Sequence, residues 1–228
     1  MELIPKVHLV PGVTGGNVYL LVGDTLTLVD TGMPDNADAI LGYVGSLGLD
    51  AAGLTRIFIT HYHRDHVGSI AAIKRRTSSL VLAHPEDAPF ISGEQAPPRP
   101  PISAMQPPSG VELAPPQIEP AVVDVTLRDC DRLDVLRGAT VVHVPGHTPG
   151  SIALHLPAEG VLICGDTIRN DGQRLTPPPA IYTLDMETAI ASIRRMAALE
   201  FDVLCVGHGA PVVGGADEQV RALVRELG

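Results

Sequence analysis

The feature that most constrains the fold is the run at residues 59–69, ITHYHRDHVGS, which gathers three histidines and an aspartate within six positions. It follows an apolar stretch that predicts a buried β-strand. Side chains two positions apart in extended backbone face the same side, so His61 and His63 can approach one cation. Asp65 and His66 follow where the chain turns and offer a second pair of donors. The run therefore predicts half-sites for two metal ions at a strand end.

Further donors occur at the same kind of position, where an apolar run meets glycine. His147 lies in HVPGHTPG, Asp166 in ICGDT and His208 in CVGHG. Glycine beside such donors leaves room for a metal and a substrate that a side chain would fill. A set made only of imidazoles and carboxylates is typical of an open, catalytic metal site, whereas structural zinc sites favour closed cages rich in cysteine.

Short apolar runs alternate with amphipathic segments in both halves of the chain, which predicts an α/β fold with helices covering the sheets in four layers. Residues 26–32 and 161–167 are both apolar strands that end in aspartate, so the two halves look alike. We expect residues 1–228 to form a single domain. The predicted strands are 18–22, 25–29, 56–59, 79–83, 140–144, 152–156, 161–164 and 203–206. The predicted helices are 35–47, 67–76, 186–199 and 216–227.

Residues 85–120 differ in composition, because eleven of the 21 prolines of the chain lie there. Proline lacks a backbone donor and fixes φ, so this segment can be neither a central strand nor a long helix. We expect a loop insertion in the domain. Two interpretations stay open: a tolerated surface loop, or a lid or dimer contact near the functional site.

Composition excludes several classes of partner. With a net charge of −10 and 3% aromatic residues, the chain is repelled by phosphate backbones and has few platforms for base stacking, so nucleic acid is disfavoured. Cys130, Cys164 and Cys205 are widely spaced and predict reduced thiols. No basic segment followed by an apolar one opens the chain. No apolar run approaches the roughly 20 residues of a bilayer span. We therefore expect a cytoplasmic protein without a membrane partner.

Together these motifs resemble the metallo-β-lactamase fold superfamily. The pattern of that superfamily is an aspartate at a strand end, then HxHxDH, then histidine, aspartate and histidine in that order. In this chain the pattern begins with Asp30 in LVDTG and ends with His208, so it spans nearly the whole sequence. The resemblance implies an αββα sandwich with two mixed sheets.

The resemblance also implies a role for each donor. The first metal would be held by His61, His63 and His147, and the second by Asp65, His66 and His208, with Asp166 bridging the two. Asp30 would support the site by accepting a hydrogen bond that orients a ligand. The implied cofactor is two divalent metal ions, zinc before iron or manganese. Such a pair lowers the pKa of a bridging water toward ~7, and Asp65 would orient the resulting hydroxide as a catalytic residue.

Departures from known subfamilies narrow the function. Asp166 at the bridging position argues against a true β-lactamase. About twenty residues follow His208, which leaves no room for the glutathione-binding extension of glyoxalase II. The favoured function is a glyoxalase II-like or lactonase-like hydrolase of a small lactone, thioester or similar ester. Two alternatives stay open: a mononuclear-iron oxygenase like the persulfide dioxygenases, and a small ribonuclease, because of the HYHRDH run. A homodimer also stays open.

Three further residues are candidates for substrate contact. Tyr182 follows a proline-rich loop and can donate a hydrogen bond to a substrate oxygen. Arg169 lies three residues after Asp166 and can bind a substrate carboxylate. His84 ends a predicted strand and can approach the pocket. Each has a plain alternative, since loop tyrosines and arginines often only pack or face solvent, and a histidine at a strand end often belongs to the core.

Overall fold

Two β-sheets packed face to face, with helices on the outer face of each, make up residues 1–101 and 118–228, which the computed structural model describes. Both sheets are mixed, as predicted. In spatial order, the first sheet contains β1 (Glu2–Ile4), β2 (Val7–Leu9), β3 (Tyr19–Val22), β4 (Leu26–Val29), β5 (Leu54–Phe58), β6 (Leu80–Ala83) and β7 (Val125–Thr126).

The second sheet comes from the C-terminal half of the chain. In spatial order it contains β8 (Arg132–Leu133), β9 (Ala139–His143), β10 (Ile152–Leu156), β11 (Val161–Gly165), β14 (Val203–Val206) and β15 (Val212–Val213), while β12 (Arg169–Asn170) and β13 (Leu175–Thr176) pair separately. The helices are α1 (Ala37–Ser46), α2 (Arg64–Val67), α3 (Ile70–Lys74), α4 (Ala88–Ile91), α5 (Met186–Met196) and α6 (Ala216–Glu226). In the described residues, no helix is both long and apolar enough to cross a bilayer.

The alternation of side chains along each strand fills three apolar layers. Tyr19 and Leu21 of β3 face the space between the sheets, whereas Leu20 packs in the layer that contains α1. In β11, Ile163 faces the same inter-sheet space and Leu162 packs toward α5 and α6. Each sheet is therefore buried on both faces, which explains why its central strands are continuously apolar.

The carboxyl ends of the central strands meet at one edge of the sandwich. β4 runs parallel to β5, and β11 runs parallel to β14, so the residues after these strands emerge on the same side. Several hydrogen bonds join the two halves of the sandwich near this edge. Among them, the Tyr19 hydroxyl donates to the Val206 carbonyl at 2.7 Å, and the Ile152 amide donates to the Thr60 carbonyl at 2.9 Å.

All eight predicted strands are present within two residues of their predicted bounds, but the helix predicted at 67–76 is interrupted. It forms as α2 and α3, with Ser69 between them at φ −107° and ψ 8°. The Ser69 hydroxyl donates to the Met33 carbonyl at 2.7 Å, and a Cβ on Gly68 would lie 2.3 Å from the Pro34 nitrogen. Close packing against the segment after β4 therefore overrides the helical pattern.

The proline-rich segment is only partly described. It begins with the short helix α4, which has Pro89 in its first turn, where a missing amide costs nothing. Residues 102–117 lie outside the described residues. The two interpretations of the segment, a surface loop or a lid or dimer contact, concern mainly these residues and stay predictions. The edge strands β1 and β2 carried too short an apolar pattern to be predicted.

Candidate metal centre

The seven predicted ligands converge at the edge where the strand ends meet. They form three overlapping groups, and within each group one donor atom from every residue lies within 4.8 Å of the others. The groups are His61, His63 and His147; His61, His66 and Asp166; and Asp65, His66 and His208.

Asp166 lies between the two predicted half-sites. Its Oδ1 is 3.3 Å from Nε2 of His66, and its Oδ2 is 3.6 Å from Nε2 of His147 and 3.3 Å from Nε2 of His208. Because it directly follows β11, it is held by the core of the second sheet. One carboxylate thus reaches donors of both half-sites.

Hydrogen bonds to Asp30 set the orientation of two of the imidazoles. Nδ1 of His66 donates to Asp30 Oδ2 at 2.8 Å. The Thr60 hydroxyl donates to the same oxygen at 2.7 Å, so its own oxygen accepts from Nδ1 of His61 at 3.0 Å. With the proton on Nδ1 in both rings, each Nε2 faces the cluster, where the neutral ring would offer its lone pair to a metal.

His147 is oriented in the same way by a different partner. The Thr183 hydroxyl donates to the Pro179 carbonyl at 2.9 Å, and its oxygen accepts from Nδ1 of His147 at 3.3 Å. The Nε2 lone pair of His147 therefore also faces the cluster. Thr60 and Thr183 were not predicted, since a threonine near a ligand carries no signal in a single sequence.

Several buried polar atoms in the cluster lack a partner, and this fits a metal centre. Within residues 1–101 and 118–228, four such atoms of the cluster make no hydrogen bond: Nε2 of His61, Nε2 of His66, Nε2 of His147 and Oδ1 of Asp166. Leaving a buried polar group unsatisfied costs about 1–3 kcal/mol. Divalent cations would satisfy all four lone pairs at once, and imidazole with carboxylate is a donor set that zinc, iron and manganese accept.

Two glycines keep space for these donors. A Cβ on Gly207 would lie 2.0 Å from Asp166 Oδ1, and one on Gly16 would lie 2.5 Å from Cε1 of His66. Gly207 belongs to the CVGHG motif, where we expected glycine because a side chain would fill the space beside the donors. Gly16, which precedes β3, was missed because it lies far from every ligand in the sequence.

Burial makes one group of imidazoles neutral. It lowers the pKa of His61 well below its usual value, that of His63 to about 4 and that of His147 to about 3. These three rings are the predicted ligands of the first metal. Neutral imidazole is the form that binds a metal, so this group needs no proton removed.

The second group carries charges that balance one another. Hydrogen bonds to Asp166 and Asp65 raise the pKa of His208 to about 9. Burial alone would raise the pKa of Asp65, but the hydrogen bond from His208 and the charge of His66 outweigh it and bring that pKa to about 2. Without a metal, the second half-site is therefore held together by protonated histidine and ionised carboxylates.

Metal uptake at pH 7 is expected to release protons, because a protonated His208 must become neutral to bind. Its pKa is raised to about 9 in the metal-free protein. Metal affinity should then rise from pH 6 to pH 9, and proton release should fall as pH passes through about 9. Calorimetric titration in buffers of different ionisation enthalpy measures both quantities. Uptake at pH 7 without proton release contradicts the expectation.

A buried carboxylate that was not predicted links the two loops carrying the first group of ligands. Asp87 Oδ2 accepts from the Tyr62 amide at 3.0 Å and from the Thr148 hydroxyl at 2.8 Å, and Oδ1 accepts from the Gly150 amide at 2.7 Å. Tyr62 lies between His61 and His63, and Thr148 follows His147. Its position in a proline-rich stretch gave no sign of this role.

We expect Asp87→Asn to lower the affinity for the first metal about 10- to 100-fold, the usual effect of losing such a supporting group. An amide accepts hydrogen bonds on one oxygen only, whereas Asp87 accepts on both. Competition with a chelator, measured for each metal equivalent in turn, tests this. Asp134→Asn, at an exposed position, is the matched control; equal affinities in both variants contradict the prediction.

A cavity of about 730 Å³ opens on the cluster and receives two of the three candidate substrate contacts. Its walls include His63, Asp65 and His208, together with Arg169 and Tyr182. The Tyr182 side chain lies at the rim in a short 3₁₀ helix and is largely exposed. The cavity thus connects the candidate ligands with solvent.

His84 does not line this cavity. It follows β6, is 5% exposed, and its ring stacks on that of His143 with centroids 4.1 Å apart and planes at 9°. Burial is the main reason that the pKa of His84 falls to about 4. Of the two positions that the sequence left open for His84, the structure has the buried one, beside His143 of β9 and outside the residues that line the cavity.

The fold and the site together define a metallo-hydrolase: an αββα sandwich with imidazoles and carboxylates gathered at one edge. Residues 11–208 match the sequence model of the metallo-beta-lactamase superfamily, and the chain belongs to this superfamily. It is a metal-dependent hydrolase, as its relatives and structural neighbours indicate.

Two curated relatives and two solved structures illustrate the relationship. The probable metallo-hydrolase YflN of Bacillus subtilis is 32% identical over 208 residues, covering 83% of this chain and 77% of its own. Hydroxyacylglutathione hydrolase of Shewanella oneidensis is 32% identical over 187 residues, covering 78% of this chain and only 59% of its own. The metallo-beta-lactamase family protein TTHA1429 of Thermus thermophilus superposes with a TM-score of 0.78 at 26% identity, covering 99% of this chain and 80% of its own.

The subclass B3 metallo-beta-lactamase BJP-1 of Bradyrhizobium japonicum superposes with a TM-score of 0.74 at 24% identity, covering 100% of this chain and 91% of its own. This likeness concerns the fold alone.

Proposed function

We propose that the protein hydrolyses a small ester-type bond, in a thioester or lactone, at a centre of two divalent metal ions. The observation that carries the proposal is the position of Asp166, which reaches donors of both half-sites beside a cavity of about 730 Å³. A site for a single metal ion would not explain why a second group of donor atoms converges beside the first.

The first metal would be held by His61, His63 and His147, and the second by Asp65, His66 and His208, with Asp166 shared. Zinc suits this donor set, and iron or manganese is compatible with it. Two such cations would supply Lewis-acid polarisation of the substrate carbonyl and activation of the attacking water.

The protein's own contribution is orientation and proton handling. Asp30 and Thr60 orient the rings of His61 and His66 through their Nδ1 atoms, so that both Nε2 atoms face the cluster before any metal binds. Asp65 lines the cavity with its side chain 31% exposed, and it is placed to hold the proton of the attacking water. Tyr182, which lines the cavity, would donate a hydrogen bond to the substrate carbonyl oxygen.

The relatives support a thioester as the substrate class. The Shewanella oneidensis relative is a hydroxyacylglutathione hydrolase, and an acylated glutathione is a thioester. This chain covers 59% of that enzyme, so its substrate is not carried over in detail. The supporting feature within the chain is the open cavity, which accommodates a small acyl group together with part of its leaving group.

Elemental analysis combined with a panel of thioesters and lactones tests the proposal. We expect two metal equivalents per chain and hydrolysis at the same rate with and without oxygen. Turnover that requires oxygen and one iron would identify an oxygenase instead. Cleavage of single-stranded RNA that weakens steeply with salt would identify a ribonuclease.

A further inference from the structure

Two arginines line the cavity without an acidic partner. Arg64 and Arg169 share its walls with His63 and Asp65. Over the two described ranges, neither guanidinium makes a hydrogen bond or an ion pair, although the exposed Asp171 feels the charge of Arg169 at longer range. Nε of Arg64 is buried and has no acceptor.

Arg64 and Arg169 are only partly exposed, and unpaired guanidinium groups at such positions are unexpected in this chain. It carries 26 acidic against 16 basic residues, so carboxylate partners are abundant. Several basic residues away from the cavity are paired, among them Lys74 with Asp124, and Arg195 with Asp129 at 2.7 Å. Others without an ion pair in the described residues, such as Arg132 and Arg225, are exposed to solvent. A buried N–H donor without an acceptor costs free energy, whereas a fully solvated arginine does not. A hydrogen-bond acceptor supplied by a bound ligand would therefore stabilise the buried Nε–H group of Arg64.

We propose that the cavity binds an ester or thioester whose acyl chain carries a carboxylate, and that Arg64 and Arg169 bind this carboxylate. The inference rests on the proposed hydrolase function and names the class of its substrate. Guanidinium pairs with carboxylate through two parallel hydrogen bonds, which gives selectivity as well as affinity. Met33 and Pro179 in the cavity wall offer apolar surface for the hydrocarbon between the two functional groups.

A matched pair of substrates tests the proposal: the glutaryl and pentanoyl thioesters of N-acetylcysteamine, which differ by one terminal carboxylate. We expect the wild-type protein to show a kcat/KM at least about tenfold higher for the glutaryl thioester. The double variant Arg64→Gln/Arg169→Gln should lose this preference, so that its kcat/KM values for the two thioesters become equal. The preference is a ratio of two rates measured on the same protein, so a change in metal content that affects both rates alike does not alter it.

The control is the double variant Arg132→Gln/Arg225→Gln, which changes the net charge equally at two exposed positions outside the cavity. It should keep the wild-type preference. Single variants then assign the carboxylate to Arg64 or Arg169. Should Arg64→Gln fail to fold, Arg169→Gln alone provides the comparison, because Arg169 has no partner to lose.

A binding measurement separates this inference from the proposed function. The S-(4-carboxybutyl) and S-pentyl thioethers of N-acetylcysteamine are not hydrolysed, and calorimetry on the metal-loaded protein compares their affinities. Tighter binding of the carboxylate, lost in the cavity variant, supports the inference even if no thioester is cleaved. Equal binding and equal hydrolysis of the two members of each pair, or a preference that survives in the cavity variant, overturns it.

Discussion

We expect His61→Ala to reduce thioester and lactone hydrolysis by at least about 10³-fold, as loss of a residue that acts within a catalytic unit commonly does. His61 belongs to two of the three convergent groups, so its loss removes a donor next to both Asp166 and His147. The substitution also removes the buried Nε2 atom of His61, which has no hydrogen-bond partner among the described residues. The measurement is kcat/KM together with metal content and circular dichroism, which should show an unchanged fold.

His155→Ala is the control for this experiment. His155 is a histidine of the same sheet sandwich, but it lies on β10 and bonds the Glu200 carbonyl far from the cavity. Its activity should stay within about twofold of wild type, as for other substitutions away from the site. If His61→Ala hydrolyses the substrates at the wild-type rate, the proposed assignment of metal ligands is wrong, whether or not the fold is unchanged.

The second large effect concerns metal removal. A chelator should abolish hydrolysis and lower the thermal midpoint, because four buried atoms of the emptied site have no hydrogen-bond partner in the part of the chain that the structure describes. A cation present at one hundred times its dissociation constant adds about 2.7 kcal/mol to the free energy of unfolding. Scanning calorimetry before and after chelation measures the shift, and adding back zinc, manganese or ferrous iron shows which ion restores activity.

The variant Asp166→Asn provides the comparison for metal removal. Its shared carboxylate is lost, so chelation should shift its midpoint much less than that of the wild-type protein. If chelation changes neither activity nor midpoint in the wild-type protein, the donors serve a different purpose.

Much of the fold follows from local pattern in the sequence. Continuous apolar runs predict strands such as 152–156, whose bounds match β10, because sheets buried on both faces leave no polar alternation. The predicted helix 67–76 is interrupted because Ser69 and Gly68 contact the backbone near Met33, and that contact depends on the tertiary structure.

The candidate ligands were accessible from the sequence because each lies next to glycine or within a dense histidine run. Their supporting residues were not. Asp87 acts through Thr148, which is 61 positions away, and Thr183 orients a histidine 36 positions before it. No local pattern encodes such distant pairings, so Asp87, Thr183 and Gly16 became visible only when the chain was folded.

Because the first sheet supplies His61, His63, Asp65 and His66 and the second supplies His147, Asp166 and His208, the ions would act as clamps between the two halves of the sandwich. Any fluctuation that parts the halves would break both coordination spheres together. Release of the ions and opening of the interface should therefore proceed at one common rate.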